Sequence, residues 1–328
     1  MKIAILGAGA WGTALALAFA PRHAIALWTL EADHAAAMLA TRENRLFLPG
    51  YALPAAIEIG ADIAATLPGA DLAVIATPVA GLRTTLQALG RLAPRLPFVW
   101  VCKGLEANTG LLPNQVVAAT LQDARCGVLT GPSFAEEVAR GQPTAVTLAS
   151  RDAAFAQEWA EQLHAPRLRI YANDDLVGAE VGGAVKNVLA IATGICDGLS
   201  LGLNARAALL TRGLAEITRF GVALGAKRET FMGLAGLGDL ILTCTGDLSR
   251  NRRVGLALAA GKPLDVVTRE LGHVAEGVPT TREVARRAQE LGIDMPITAA
   301  VLDILEGRIG PAQVVDRLMN RDQKTETL

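Results

Sequence analysis

The chain has 328 residues, of which 51% are hydrophobic and 19% charged, with a formal net charge of −1 and a mean hydropathy of +0.34. That length exceeds what one core usually supports, so two domains are expected, and the apolar content excludes a disordered chain. A near-neutral balance gives no footing for a nucleic-acid partner or an acidic membrane surface.

In chain order, KIAILG (2–7) is a short apolar run closed by glycine, the pattern of a buried parallel strand. GAGAWG follows from Gly7 to Gly12, and TALALAFA after it is an Ala/Leu-rich helix. Further strands are predicted in HAIALW, Asp71–Pro78, Pro97–Gly104, Arg125–Ser133 and Thr144–Ser150, with helices between them at Ala32–Thr41 and Asn114–Leu121. This alternation predicts a doubly wound parallel sheet of the Rossmann type over residues 1–173. From Asp174 strand patterns vanish, and residues 174–328 read as an all-helical substrate domain, an α/β plus all-α chain in total. Its helices are predicted at LVGAEVGGAVKNVLAIATGICDG, at Ala205–Leu224 with Asn204 as N-cap, and at Arg252–Ala260, Thr280–Leu291 and Thr298–Glu306, with a frayed tail NRDQKTETL.

Cys102, Cys126, Cys196 and Cys244 are far apart, with no metal-ligand or paired spacing, and read as reduced thiols in a protein without a metal. The first residues lack a signal-peptide layout, and VLAIATGICDGL is too short and too polar to span a bilayer. A cytoplasmic protein without membrane insertion is therefore expected.

The glycine spacing alone is weak in a chain with 33 glycines. Between a strand and a helix at the start of a doubly wound domain, it becomes a dinucleotide fingerprint. Gly7 would permit the tight turn, Gly9 the approach of a pyrophosphate, and Gly12 close packing of helix on strand, with the helix N-terminus holding phosphates. Such sites place an acidic residue on the adenosine ribose about 20 residues on. Glu31 is the candidate, and it equally suits the opening of the next helix.

Ligands of open α/β sheets lie beyond the carboxyl ends of strands. Lys103 sits at such an end, able to neutralise a phosphate or polarise a carbonyl, or else simply solvated. Gly131-Pro132-Ser133 sits at another, where Ser133 is either a site residue or an N-cap. In the helical half Lys186 lies among small and apolar residues, on one face with Ala190, Thr193 and Asp197. A lysine there is costly to bury unless paired, and burial suits it to proton transfer; the alternative is a side chain snorkelling to solvent. GLAGLGDLILTCTGDLSRNRRVG brings Asp239, Thr243 and the cluster Ser249–Arg253. A helix capped by Ser249, with Arg250 and Asn251 at its start, outlines a phosphate site; a solvated basic face is the other reading.

Taken in order, GAGAWGTALA, KGLE, GPSFAEEVARGQPTA, GGAVKNVLAIATG, GLAGLGDLILTCT, SRNRR, EGVPTT and MPIT resemble the bacterial NAD(P)-dependent glycerol-3-phosphate dehydrogenases, from Met1 to about Leu305. The resemblance implies reversible reduction of dihydroxyacetone phosphate to sn-glycerol 3-phosphate with NAD(H) or NADP(H), feeding phospholipid synthesis. It implies Lys186 as general acid/base, and substrate contacts from Lys103, Gly131, Ser133, Asn187, Asp239, Thr243, Ser249, Arg250 and Asn251. Cofactor contacts would come from Ala10, Trp11, Lys103, Ala135, Arg250, Val274 and Glu276, beside Gly7, Gly9, Gly12 and Glu31.

One departure matters: relatives often carry a basic residue or a His-Arg pair where this chain has Leu30-Glu31. Nothing there would meet a 2′-phosphate, so NADH is the expected preference. A homodimer is the expected assembly. The competing readings are a hydroxy-acid dehydrogenase that also uses a helix lysine, and a silent dinucleotide sensor. SRNRR speaks against the first, and Lys103, Lys186, Asp239 and Arg250 together against the second.

Overall fold

The computed structural model describes residues 1–271 and 275–320. It divides into two compact units, residues 1–103 with 113–176, and 104–112 with 177–328. The tail from residue 321 and Val274 lie outside the described residues.

The first unit runs β1 (Lys2–Leu6), α1 (Ala10–Phe19), β2 (Ala24–Trp28), α2 (Ala32–Thr41), β3 (Glu43–Asn44), β4 (Leu48–Ala52), β5 (Glu58–Gly60), the single turn α3 (Ile63–Thr66), β6 (Leu72–Ile75), α4 (Val79–Leu92), β7 (Phe98–Trp100), α5 (Pro113–Thr120), β8 (Cys126–Thr130), α6 (Ala135–Ala139), β9 (Thr144–Ala149), α7 (Ala153–Gln162) and β10 (Leu168–Asn173). Its main sheet has the order β10-β9-β8-β7-β6-β1-β2-β5. The chain winds outward one way through β2 and β5 and the other way from β6, so the switch point lies between β1 and β6. Ile3, Ala4, Ile5 and Leu6 are fully buried, as a central strand covered on both faces requires.

The sheet departs from a purely parallel one at one pair: β9 runs antiparallel to β8, in the register Val128 to Ala149. Between them stands only the five-residue α6, which packs on α1 rather than spanning the sheet as a crossover helix does. The sequence reading also missed β3, β4, β5 and β10. β4 holds Pro49 and Gly50, residues that suit only an edge ribbon, and β5 is a three-residue edge strand. In β10 the alternation of buried Leu168 and Ile170 with exposed Arg169 and Tyr171 marks an edge strand covered on one face.

The second unit is helical: α8 (Leu176–Gly198), α9 (Gly202–Ala223), a 3-10 turn (Arg228–Met232), a π turn (Leu234–Gly238), α10 (Asp239–Thr245), α11 (Arg250–Ala259), α12 (Leu264–Glu270), α13 (Gly277–Glu290), α14 (Pro296–Leu305) and α15 (Pro311–Met319). α8 is long and apolar enough to cross a membrane by length and composition, yet 94% of its most apolar stretch is buried, and it is the axis of this unit's core. The predicted N-cap Asn204 lies inside α9. The chain turns at Ser200, with φ of 56°, and the helix begins at once behind Leu201. Residues 104–112 join this unit through the buried side chains of Leu105 and Leu112. A hydrogen bond of 3.0 Å from the Asn108 N–H to Glu283 Oε1 ties them to α13.

Candidate active site

In the first unit the glycines of GAGAWG act by contact. Gly7 has φ of 129°, and a Cβ on it would lie 2.6 Å from the Ala76 carbonyl carbon just past β6. A Cβ on Gly12 would lie 2.0 Å from the Gly7 carbonyl oxygen, so only glycine lets α1 start against the strand end. A Cβ on Gly9, by contrast, would meet nothing within 4 Å. Gly9 is the N-cap of α1, no side chain caps the helix, and its first turn carries no acidic residue. The free N–H groups thus face an open surface at the switch point, which fits a pyrophosphate. Ala10, Trp11 and Ala135 share one small apolar cluster built on Ala14, Leu48 and Val138.

At the end of β2, Leu30 is 73% exposed. Glu31 is the N-cap residue of α2, but its side chain caps nothing. Its Oε2 instead accepts a hydrogen bond of 3.0 Å from the Thr29 hydroxyl. Lys103 is half-buried and donates to the Gly131 carbonyl at 3.2 Å; Ser133 Oγ donates to the same oxygen at 3.0 Å. Two strand ends therefore converge on Gly131. Ser133 is not the N-cap of α6: that place belongs to Phe134, because the chain first turns at Gly131, with φ of 131°.

In the second unit Lys186 is 6% exposed and Asp239 is 1% exposed. The Lys186 ammonium forms an ion pair with Asp239 Oδ1 and donates to Thr243 Oγ1 at 2.9 Å. Thr243 donates in turn to Asp239 at 3.4 Å. The approach is set by Gly182: a Cβ there would lie 2.3 Å from the Ala235 carbonyl oxygen in the π turn. Gly182 and Ala235 precede Lys186 and Asp239 by the same four positions, so close contact at the first pair aligns the second. The buried Cys244 sits in the same core, its thiol pushed up to about 12, chiefly by burial, so it offers no thiolate for chemistry.

Ser249 caps α11, accepting from the Arg252 N–H at 3.2 Å. Arg250 at the first turn is exposed and makes no ion pair among the described residues. Asn251 is buried and spends its amide internally, donating to Asn187 Oδ1 and accepting from the Gly277 N–H, both at 3.0 Å. This knits α8, α11 and the start of α13, beside Glu276, its N-cap residue. Asp197, on the Lys186 face of α8, binds Arg206 at 3.1 Å and Arg252 at 2.8 Å instead. The last of the five SRNRR residues to be placed, Arg253, is exposed. Sequence reasoning missed Thr29, Gly277 and Arg252 as partners of these groups, because their partners lie on other elements.

The chain matches the family description "NAD-dependent glycerol-3-phosphate dehydrogenase N-terminus" over residues 2–156 and the corresponding C-terminus over residues 175–316. It is 65% identical over 327 residues to a glycerol-3-phosphate dehydrogenase [NAD(P)+] of Dechloromonas aromatica, covering 99% of each chain. A protein of the same name from Aromatoleum aromaticum is 60% identical over 328 residues, covering 99% of this chain and 100% of that one. A crystal structure of glycerol-3-phosphate dehydrogenase from Coxiella burnetii matches with a TM-score of 0.94 at 44% identity, covering 98% of this chain and 99% of that one.

Proposed function

The chain belongs to the NAD-dependent glycerol-3-phosphate dehydrogenase family, and from that premise we propose that Lys186 is the general acid/base of its reaction. That reaction is NAD(P)-dependent reduction of dihydroxyacetone phosphate to glycerol 3-phosphate. The observation that carries the proposal is a lysine buried in an apolar core and held by Asp239 and Thr243. A reduced nicotinamide, when bound, supplies hydride to the carbonyl carbon. As the carbonyl oxygen gains charge, the Lys186 ammonium stabilises it and delivers the proton; in reverse its amine accepts the proton of the C2 hydroxyl. Asp239 and Thr243 fix the direction of the ammonium.

Arg250 and the N-terminus of α11 are the proposed holders of the substrate phosphate, and this remote grip positions the carbonyl. Lys103, Gly131 and Ser133 are proposed substrate contacts in the first unit. Asn187 and Asn251 act by holding α8, α11 and α13 in register. The dinucleotide is proposed to lie on Gly7, Gly9, Ala10, Trp11 and Gly12, with further contacts from Lys103, Ala135, Arg250, Val274 and Glu276, and with its ribose on Glu31. Because Leu30 and Glu31 offer no cation to a 2′-phosphate, NADH is the proposed preference. A cytoplasmic homodimer without membrane insertion, supplying phospholipid synthesis, completes the reading.

The test is nicotinamide absorbance with dihydroxyacetone phosphate and each reduced cofactor in parallel. Substrate-dependent oxidation faster with NADH is expected, and a strong NADPH preference would sink the Glu31 reading. Lys186→Ala is expected to lower kcat by roughly 10³-fold with cofactor affinity kept. Unchanged turnover would remove Lys186 from the mechanism.

A further inference from the structure

The Glu31 carboxylate does not stand alone. Thr29 Oγ1 lies 3.0 Å from Glu31 Oε2 and 3.1 Å from His34 Nδ1. His34 Nε2 lies 3.0 Å from Asn44 Oδ1. Asn44 is fully buried, and its nitrogen donates to the Ala8 carbonyl at 2.8 Å and to Thr13 Oγ1 at 2.7 Å. Ala8 is the residue between the first two glycines of GAGAWG. One hydrogen-bonded chain thus joins the residue read as the ribose ligand to the turn read as the pyrophosphate cradle.

Donor and acceptor counting orients every link. The Ala8 carbonyl can only accept, so the Asn44 nitrogen faces it. Asn44 Oδ1 therefore accepts, from the Phe47 N–H at 3.1 Å and from His34, whose Nε2 must carry a proton. The Thr29 hydroxyl owns one proton. If it donates to Glu31, it must accept from His34 Nδ1–H, and the ring is an imidazolium. If the ring is neutral, its bare Nδ1 takes the hydroxyl proton, and Glu31 faces a lone pair instead of a donor. The full set of contacts is satisfied when the ring donates from both nitrogens.

We propose that His34 is a positioning residue for the cofactor: donating from Nδ1, it turns the Thr29 hydroxyl onto Glu31 and so holds that carboxylate where a ribose diol meets it. The proposal rests on the reading of Glu31 as ribose ligand. Among the described residues no other charged side chain nearby is placed to do this. Glu43, on β3, is engaged by the Gly50 N–H and Arg45. Glu58, on β5, pairs with Lys2, and Arg42 is held by the carbonyls of Leu53, Pro54 and Ile57. Asp33 is exposed on α2 itself, and Phe47 packs edge to face on the His34 ring at 5.2 Å.

The experiment is NADH and NADPH titration of the full-length protein, with His34→Ala, Glu31→Ala, the double variant and His34→Gln. NADH affinity should fall roughly tenfold in His34→Ala, and the preference for NADH over NADPH should fall with it. The double variant should bind NADH no more weakly than Glu31→Ala. His34→Gln, which keeps a donor for Asn44 and so the folded turn but offers Thr29 no N–H, should lose NADH affinity to the same extent as His34→Ala. If Glu31→Ala weakens NADH binding and both His34 variants leave it intact, His34 has no such role and the ribose reading stands. Additive losses in the double variant would mean His34 acts through the glycine turn and overturn the route through Glu31. An unaffected Glu31→Ala would remove the ribose reading and this inference together.

Discussion

Asp239 shows how much one buried group decides. Converting it to Asn removes the charge that faces the Lys186 ammonium inside the core. Asp239→Asn is expected to lower kcat more than it raises KM, and to destabilise the fold by about 3–5 kcal/mol, readable by denaturant unfolding alongside steady-state rates. Glu216 is a second buried carboxylate, 1% exposed, on the opposite side of the same logic. Burial pushes it up to about 7, although the N–H groups of Ile297 and Thr298, the Thr298 hydroxyl and Arg219 all pull it down. From α9 its carboxylate reaches the N-terminus of α14, with its Oε1 2.6 Å from the Ile297 nitrogen. Since the folded state holds this proton more tightly than the unfolded chain, the group's contribution is complete below about pH 4.5 and is lost as pH rises to about 7. Glu216→Gln should flatten that part of the stability-versus-pH curve; an unchanged slope would show that other groups set it. Asp239 stood out in the sequence and Glu216 did not, and the environment of each is set by partners remote in the chain.

At the scale of elements, glycine pairs set how closely helices cross. A Cβ on Gly255 would lie 2.1 Å from the Ile191 carbonyl oxygen, and one on Gly194 would lie 2.1 Å from that of Arg252. α8 and α11 therefore touch backbone to backbone, which places the capped start of α11. Gly255→Ala is expected to cost about 1–3 kcal/mol and to raise KM for dihydroxyacetone phosphate, since α11 must retreat from α8. A normal KM would show that the start of α11 does not hold the substrate. Ser249→Ala should cost about 1 kcal/mol by removing the cap, with a smaller rise in KM. Elements with strong internal signals were legible: α2 and the central strands β1, β2 and β6 lie within the stretches read for them. Those whose form depends on neighbours were not. α9 starts before Asn204 because of the turn at Ser200, and the direction of β9 is set by how α6 lies on α1.

At the scale of the whole molecule, the chain's two units each have their own apolar core. A homodimer predicts a mass in solution of about twice the 34.2 kDa chain, and sedimentation equilibrium at the monomer mass would refute it. The apolar stretch in α8 illustrates the limits of composition at this scale. By length it could span a bilayer, and only the helices around it show that its apolar surface is already covered.

The sequence by itself determined the local chemistry: a strand, a glycine turn and a helix able to hold phosphates, a lysine in a small-residue helix, and a serine-capped basic start to α11. Each is written in residues close together in the chain, where backbone preference and side-chain period act. Tertiary structure decided the partnerships: Lys186 with Asp239 and Thr243, Asn251 with Asn187 and Gly277, and Glu31 with Thr29 and His34 in line with Asn44. Most of these pairs are far apart in sequence, and even Glu31 and His34 meet only through the Thr29 hydroxyl, just past the end of β2. Hydrogen bonds and ion pairs act over about 3 Å, so which groups share one is settled only when the elements that carry them are packed.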